Sequence, residues 1–189
     1  MNNIIIKNKD DIRHEDILLS KENIDLLHIP GLIPSNTKWE EFIAHCNFLE
    51  KNRNITLQSP VKVIGALQVW DDFFLAGYYA QKGETLSQWN QVTYITDHLF
   101  GRENDGGCTL INFVGGQKTI PVHTDIRDSF LWQAIGTVEW RIHETENPES
   151  PYKTLIVNPG DVLFVPSGIS HTVFCADPRA ALSIFYDKR

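Results

Sequence analysis

The sequence predicts a mainly β fold of the barrel or sandwich type, preceded by a part that contains helices. The chain has 189 residues, of which 42% are apolar, and this is the length of one domain with a sizeable core. Before about residue 105 the apolar residues recur at helical spacing, and after it they form short runs separated by turn residues. We therefore expect a single domain over 1–189, with a helix-containing part at 1–104 and the barrel strands at 105–189.

Two helices are predicted in the N-terminal part. The first covers about 38–51, where Thr37 and Glu40 have the spacing of a capping box. The second follows Thr85, carries apolar residues along one face and should end at Gly101, because glycine favours the left-handed conformation that terminates helices.

Seven strands are predicted after residue 105, and this number in about eighty residues is typical of a barrel or sandwich. The segment 61–80 should also be extended. Pro159 and Gly160 occupy the central positions of a type II turn between two of the seven runs. Short connections of this kind favour antiparallel pairing. The runs are CTLINFV, SFLWQAIG, TVEWRI, KTLIV, DVLFV, HTVFC and AALSIFY.

Composition and charge exclude several classes of function. The net charge of −7 would repel the phosphates of duplex nucleic acid. The sequence contains no run of eighteen apolar residues, so it predicts no membrane span. The charged N-terminal segment lacks the apolar run of a signal peptide. Three scattered cysteines without a CxxC pair predict reduced thiols in a cytoplasmic protein. The sequence leaves the question of a homodimer undecided, because the aromatic run within 70–79 would suit the core, a substrate entrance or a dimer surface.

A His-x-Asp triplet on a strand puts an imidazole and a carboxylate side by side, because residues i and i+2 share a face. The triplet that begins at His14 lies in a charged, non-periodic segment and is predicted to be a solvated surface pair. The triplet of His123 and Asp125 lies among the predicted strands. A third candidate, His171, follows a tight Pro-x-Gly turn and opens another strand.

The paired motifs HTD and PGDVLFVPSGISH resemble the JmjC-like branch of the cupin superfamily, a group of iron- and 2-oxoglutarate-dependent hydroxylases. The resemblance covers about 109–187 and includes Gln133, Gly136 and Trp140, which match the strand after the His-x-Asp triplet of that branch. It implies a double-stranded β-helix barrel, also called a jelly roll, with N-terminal helices packed on it.

The resemblance implies that His123, Asp125 and His171 bind Fe(II) and are the catalytic residues. Two imidazoles and one carboxylate on one face of iron leave the other face open for a bidentate cosubstrate and dioxygen. In such enzymes 2-oxoglutarate is converted to succinate while a substrate C–H bond is hydroxylated. Halogenation is disfavoured, because Asp125 fills the position that halogenating relatives leave to chloride. The other histidines, predicted to be surface or structural residues, are His28, His45, His98 and His143.

The sequence departs from the family pattern where the distal carboxylate of 2-oxoglutarate should bind. A buried carboxylate requires a cation, which the family supplies two residues before the tryptophan of the strand. That position is Val138 here, and a second polar position of the pattern is Ile120. Two expected contacts are therefore missing.

Arg179 is our candidate for the missing cation. On the last predicted strand it alternates onto the same face as Ala181, the position where other 2-oxoglutarate enzymes place an arginine. Asn112 and Ser129 are expected to assist it, because relatives often have polar cosubstrate contacts at these places. Arg141 alternates onto the opposite face from Val138 and is less favoured.

Two other readings stay open. A metal cupin that does not use 2-oxoglutarate, such as a dioxygenase or an isomerase, is supported by Val138. A non-catalytic cupin that binds small molecules is disfavoured by the intact His-Asp-His set. The expected substrate is a small molecule, a free amino acid or a peptide side chain, and Arg127 would meet an anionic substrate at the barrel mouth.

Overall fold

The computed structural model describes residues 2–44, 62–64, 67–70, 73–80, 87–112, 117–118 and 121–187. At 62–64, 67–70, 73–80, 112 and 117–118 the description is of the backbone. The sequence predictions for His45, Cys46, Thr85 and Ile120 lie outside the described residues.

The described strands follow the order that the sequence predicts after residue 105, and further strands precede them. Six of the seven predicted runs form strands within one residue of their expected bounds, and the first run forms a strand over 107–112, its predicted end at 113–114 lying outside the described residues. The short strands 117–118 and 123–124 are additional to the seven runs. The strands are β1 (Ile4–Ile6), β2 (Leu26–Ile29), β3 (Lys62–Ile64), β4 (Leu67–Trp70), β5 (Phe73–Ala80), β6 (Gly107–Asn112), β7 (Gln117–Lys118), β8 (His123–Thr124), β9 (Asp128–Ile135), β10 (Val138–His143), β11 (Tyr152–Val157), β12 (Val162–Val165), β13 (Ser170–Cys175) and β14 (Arg179–Tyr186).

These strands form two sheets, and the predicted double-stranded β-helix is confirmed. The larger sheet has the order β1-β2-β12-β9-β14-β6-β5-β4-β3, and the smaller has the order β11-β10-β13-β7, with β8 also paired to β13. Apart from the parallel pair β1–β2, neighbouring strands are antiparallel. The turn into β12 is of the predicted kind, because Gly160 has φ +96° and the Asp161 amide donates to the Asn158 carbonyl over 3.0 Å.

In the larger sheet, strands β2, β12, β9 and β14 are buried on both faces. Its outer face packs against the helices, and its inner face packs against the smaller sheet to form the barrel interior. Double burial explains why β9 and β12 are continuous apolar runs rather than alternating ones. The interior contains buried residues from both sheets, including Leu131, Val138, Trp140, Leu163, Val165, Val173, Cys175 and Ala181.

Within the described ranges, three helical segments accompany the sheets. They are α1 (His14–Asn23), the helical residues 39–44, and α3 (Trp89–Phe100), and we label the middle segment α2. The end of α3 at Gly101 is confirmed, with φ +84° at that glycine. The capping box predicted for α2 is wrong, because the helix begins at residue 39 and Thr37 is therefore not its N-cap residue. The buried Thr37 hydroxyl donates to Gln88 Oε1 over 2.7 Å.

Helix α1 and strands β1 and β2 were not predicted from the pattern. In α1 only Ile17 and Ser20 are buried, while Leu18 and Leu19 are exposed, so apolar residues do not mark its packed face. None of the described helices has the length and apolar content needed to cross a bilayer.

Candidate metal centre

The three predicted ligands meet at one end of the barrel. Strand β8 pairs with β13 so that His123 lies directly opposite His171. Asp125 follows the end of β8, and its carboxylate oxygens lie 3.9 Å from His123 Nε2 and 3.8 Å from His171 Nε2. Candidate ligand atoms of all three residues lie within 4.8 Å of one another, so one cation could contact all three.

Backbone carbonyls fix the tautomer of both imidazoles. His123 Nδ1 lies 2.9 Å from the Pro121 carbonyl, and His171 Nδ1 lies 2.9 Å from the Ile169 carbonyl. Because a carbonyl oxygen can only accept, each Nδ1 carries the proton and donates it. Each Nε2 therefore presents a lone pair, which is the form that a divalent metal requires.

His171 is the buried member of the set. Burial, and after it the neighbouring His123, lower its pKa to about 4. The imidazole is therefore neutral at neutral pH and needs no deprotonation to bind a metal. The indole of Trp140 stacks on its ring, with centroids 4.7 Å apart and planes 18° apart.

The other two ligands face the mouth of the barrel. The side chain of His123 is 31% exposed and that of Asp125 is 46% exposed. Ile126, the next residue, is 83% exposed. Thr124, between the two ligands, donates from its hydroxyl to Glu146 in the loop after β10. The candidate metal position is therefore accessible from solvent.

Val138 lies deeper in the barrel than the ligands. It faces Cys175 across the β10–β13 pairing, at the opposite end of β13 from His171. Its side chain is buried among the interior residues, as expected for the position two before Trp140. The position of the family's basic residue is thus inside the barrel and occupied by an apolar side chain.

Arg179 lies at the same deep end. It is 1% exposed and, along β14, alternates with Ala181, which packs in the barrel interior. Burial lowers the pKa of its guanidinium. The positive charge of Arg179 lowers the pKa of the Cys108 and Cys175 thiols, against the larger effect of burial, which raises it. Asn112 occupies the register position directly opposite Arg179 on β6. The predicted proximity of these two positions is therefore present.

Ser129 lies elsewhere in the barrel. It is buried, and it faces Val165 of β12 and Phe185 of β14. Phe185 is six positions from Arg179 along one strand, a separation of about 20 Å at ~3.3 Å per residue. One carboxylate cannot contact both side chains, so the expectation that Ser129 assists Arg179 is corrected. Ser129 instead lies at the end of the barrel that carries the ligands.

Two other arginines named in the sequence analysis have carboxylate partners. Arg127 Nε lies 2.7 Å from Asp187 Oδ1. Arg141 Nε lies 2.6 Å from Glu139 Oε1, and its guanidinium contacts the rings of Tyr152 and Phe174.

Other histidines have structural contacts. His14 Nδ1 lies 2.8 Å from the Leu99 carbonyl, so the predicted solvated pair is corrected to a contact between α1 and α3. His28 is buried and lies 3.0 Å from Asp161. His143 is buried and His98 is exposed. Among the described residues, the set of His123, Asp125 and His171 alone has the spacing of a metal site.

Comparisons with known proteins agree with this architecture. Residues 106–188 match the JmjC domain family. The fold is similar to an X-ray structure of Escherichia coli ycfD, with a TM-score of 0.60, 14% identity, and coverage of 95% of this chain and 54% of that one. It is also similar to a crystal structure of the Escherichia coli ribosomal oxygenase YcfD, with a TM-score of 0.55, 15% identity, and coverage of 87% and 49%.

The sequence matches no curated protein. The chain spans about half the length of the solved structures that it resembles. At this level of identity the likeness establishes the fold, and the match to the JmjC domain is confined to the part that carries the three candidate ligands.

Proposed function

We propose that this chain, which carries a JmjC domain of the cupin superfamily over residues 106–188, is a non-heme Fe(II)- and 2-oxoglutarate-dependent oxygenase. The proposal depends above all on one observation. Two imidazole Nε2 atoms with fixed tautomers and one carboxylate converge at the barrel mouth, and this donor set suits Fe(II).

The residues present fit such a metal. His123, Asp125 and His171 would supply three ligands, and the exposed sides of His123 and Asp125 would leave room for further ligands. Iron bound here would supply, with 2-oxoglutarate and dioxygen, the oxidising power to hydroxylate a C–H bond. The protein's part is to hold its three ligands in place and to position both organic substrates.

Arg179 is the proposed anchor for the cosubstrate. A dicarboxylate that binds the metal through one end can reach deeper into the barrel with the other. Arg179 is the buried cation at that depth, where the family position holds Val138. A charge-assisted contact there would offset the cost of burying the carboxylate. Asn112 would assist from the opposite strand, and Ser129 would act at the metal end of the cosubstrate.

The proposed substrate is a side chain of a protein or peptide. The mouth is open at His123 and Asp125, and Ile126 exposes an apolar surface beside them. The likeness in fold to a protein named as a ribosomal oxygenase supports the same substrate class. A small molecule or free amino acid is the alternative that activity measurements would reveal.

A second candidate is a metal cupin that does not use 2-oxoglutarate. Val138 favours it, because this buried apolar side chain occupies the position where the family's cation would bind the cosubstrate. In that case the enzyme would be a dioxygenase or isomerase that uses the same three metal ligands.

Anaerobic titration of the protein with Fe(II) and then 2-oxoglutarate tests the proposal. We expect a visible charge-transfer band when both are present, and slow formation of succinate after oxygen is admitted. The His171→Ala variant should give neither signal. If the wild-type protein binds iron but gives neither the band nor succinate with peptide substrates, the second candidate becomes the better account.

A further inference from the structure

A buried carboxylate joins the segment that contains Asp125 to the turn that precedes His171. Asp128 is the first residue of β9, three residues after Asp125, and it is 1% exposed. Its Oδ1 accepts the backbone N–H of Ser167 over 2.9 Å. The next amide, of Gly168, donates to the Asp125 carbonyl over 2.9 Å. Two successive amides on the approach to His171 are thus held by the loop that contains Asp125.

The cation that neutralises this carboxylate comes from helix α1. Lys21 Nζ lies 2.7 Å from Asp128 Oδ2 and 5.3 Å from the centre of the Phe100 ring. A carboxylate with almost no exposure would be costly without a cation at this distance. Helix α1 precedes the residues that match the JmjC domain.

We infer that Asp128, neutralised by Lys21, is a positioning residue that sets the distance between His171 and Asp125. The inference rests on the proposed function, because it assigns these residues a role at the proposed metal centre. A metal site requires ligands held to within about half an ångström, and its outer contacts contribute to that precision. On this account helix α1 stabilises the metal centre as well as the fold.

Cobalt(II) titration of the full chain, freed of metal, tests the inference. Asp128→Ala should weaken cobalt binding by about tenfold or more, the scale observed for outer contacts of metal sites. Asp128→Asn keeps an oxygen that can accept the Ser167 amide, so it should weaken cobalt binding by less, about threefold. Lys21→Met should weaken cobalt binding to a similar extent. The visible spectrum of bound cobalt should change in Asp128→Ala, because the ligand geometry changes.

Lys7→Met is the matched control. Lys7 forms an ion pair of similar length with Asp16, at 2.8 Å, that also involves helix α1 but includes neither Asp128 nor a candidate ligand. It should leave cobalt affinity unchanged. Should Asp128→Ala and Asp128→Asn lower the melting temperature while the folded variants bind cobalt as tightly as the wild type, the role is merely structural and the inference is overturned. A wild-type protein that binds no cobalt would instead overturn the proposed function, and this inference with it.

Discussion

The Trp140 indole lies nearly parallel to the His171 imidazole, with ring centroids 4.7 Å apart and an interplanar angle of 18°. Trp140 and His171 are on neighbouring strands of the smaller sheet, and both side chains are buried. The stack, together with the Nδ1–H donation to Ile169, leaves the imidazole with one orientation. Trp140 would therefore help to orient His171 at the proposed metal centre without being a ligand.

Replacing Trp140 should loosen His171. Trp140→Phe keeps an aromatic face and should retain cobalt affinity within about threefold, while Trp140→Leu should lose about tenfold, as for other outer contacts. Both variants should be less stable, by up to about 3–5 kcal/mol for the larger truncation. Cobalt titration and urea unfolding measure the two effects separately. Equal cobalt affinity in both variants would contradict a role for stacking.

Removal of a ligand should abolish metal binding, while removal of His14 should not. His171→Ala is expected to weaken iron binding by more than about a hundredfold, because only two of the three ligands remain. Loss of a residue that merely contacts a ligand already lowers metal affinity by about 10–100-fold, and loss of a ligand should cost more. His14→Ala should retain its iron and lose about 1 kcal/mol of stability with the hydrogen bond to Leu99. Metal analysis of the purified variants decides this, and iron lost from His14→Ala but kept by His171→Ala would refute the assignment.

Arg179 should determine 2-oxoglutarate affinity. Arg179→Met removes the charge but fills most of the volume, and it should raise the 2-oxoglutarate dissociation constant at least about tenfold with iron binding unchanged, because a buried charge-assisted contact is lost. Val138→Lys in that background should restore binding, since it returns the family's cation to the barrel interior.

Arg141→Met is the control for Arg179→Met, because Arg141 pairs with Glu139 and its guanidinium contacts the rings of Tyr152 and Phe174. It should leave the 2-oxoglutarate dissociation constant unaltered. Wild-type affinity in Arg179→Met would remove Arg179 from the cosubstrate site.

Gly136 should be intolerant of a side chain. Its φ is +76°, and an added Cβ would lie 2.4 Å from the Pro178 carbonyl oxygen, next to Arg179. Gly168 has φ +93°, but its added Cβ would meet no atom within 4 Å. Positive φ strains the backbone by about 1–3 kcal/mol in both Gly136→Ala and Gly168→Ala. Of the two, Gly136→Ala alone adds a steric clash. Denaturant unfolding should show Gly136→Ala to be less stable than Gly168→Ala, and equal stability would show that the clash relaxes freely.

Cys108 should resist alkylation in the folded protein. Burial raises the pKa of its thiol to about 12, so the reactive thiolate is scarce at any pH below that value. Raising the pH from about 7 to 9 should therefore leave the Cys108 peptide unmodified by iodoacetamide in the native state, whereas in denaturant it should react like a free cysteine with pKa ~8.5. Mass spectrometry of the digested protein measures this, and rapid native labelling at pH 8 would contradict the prediction.

Local patterns predicted much of the barrel. The apolar runs that became β9, β10 and β12 are short and bounded by turn residues, and Gly101 and Gly160 adopt the positive φ expected at a helix end and a type II turn. Such features depend on the conformational preferences of a few consecutive residues, so they can be read along the chain. That the whole chain is a single domain stays a prediction.

The sequence by itself determined the candidate donor set. His123 and Asp125 are close because they are two residues apart at a strand, and the motif that ends at His171 supplied the third candidate ligand. It determined neither α1, whose buried face is not marked by apolar residues, nor the ion pair of Lys21 with Asp128. Tertiary structure alone decided that Arg179 lies at one end of β14 while Ser129, on β9, lies opposite Phe185 near the other end, because strand register is set by pairing between segments distant in sequence.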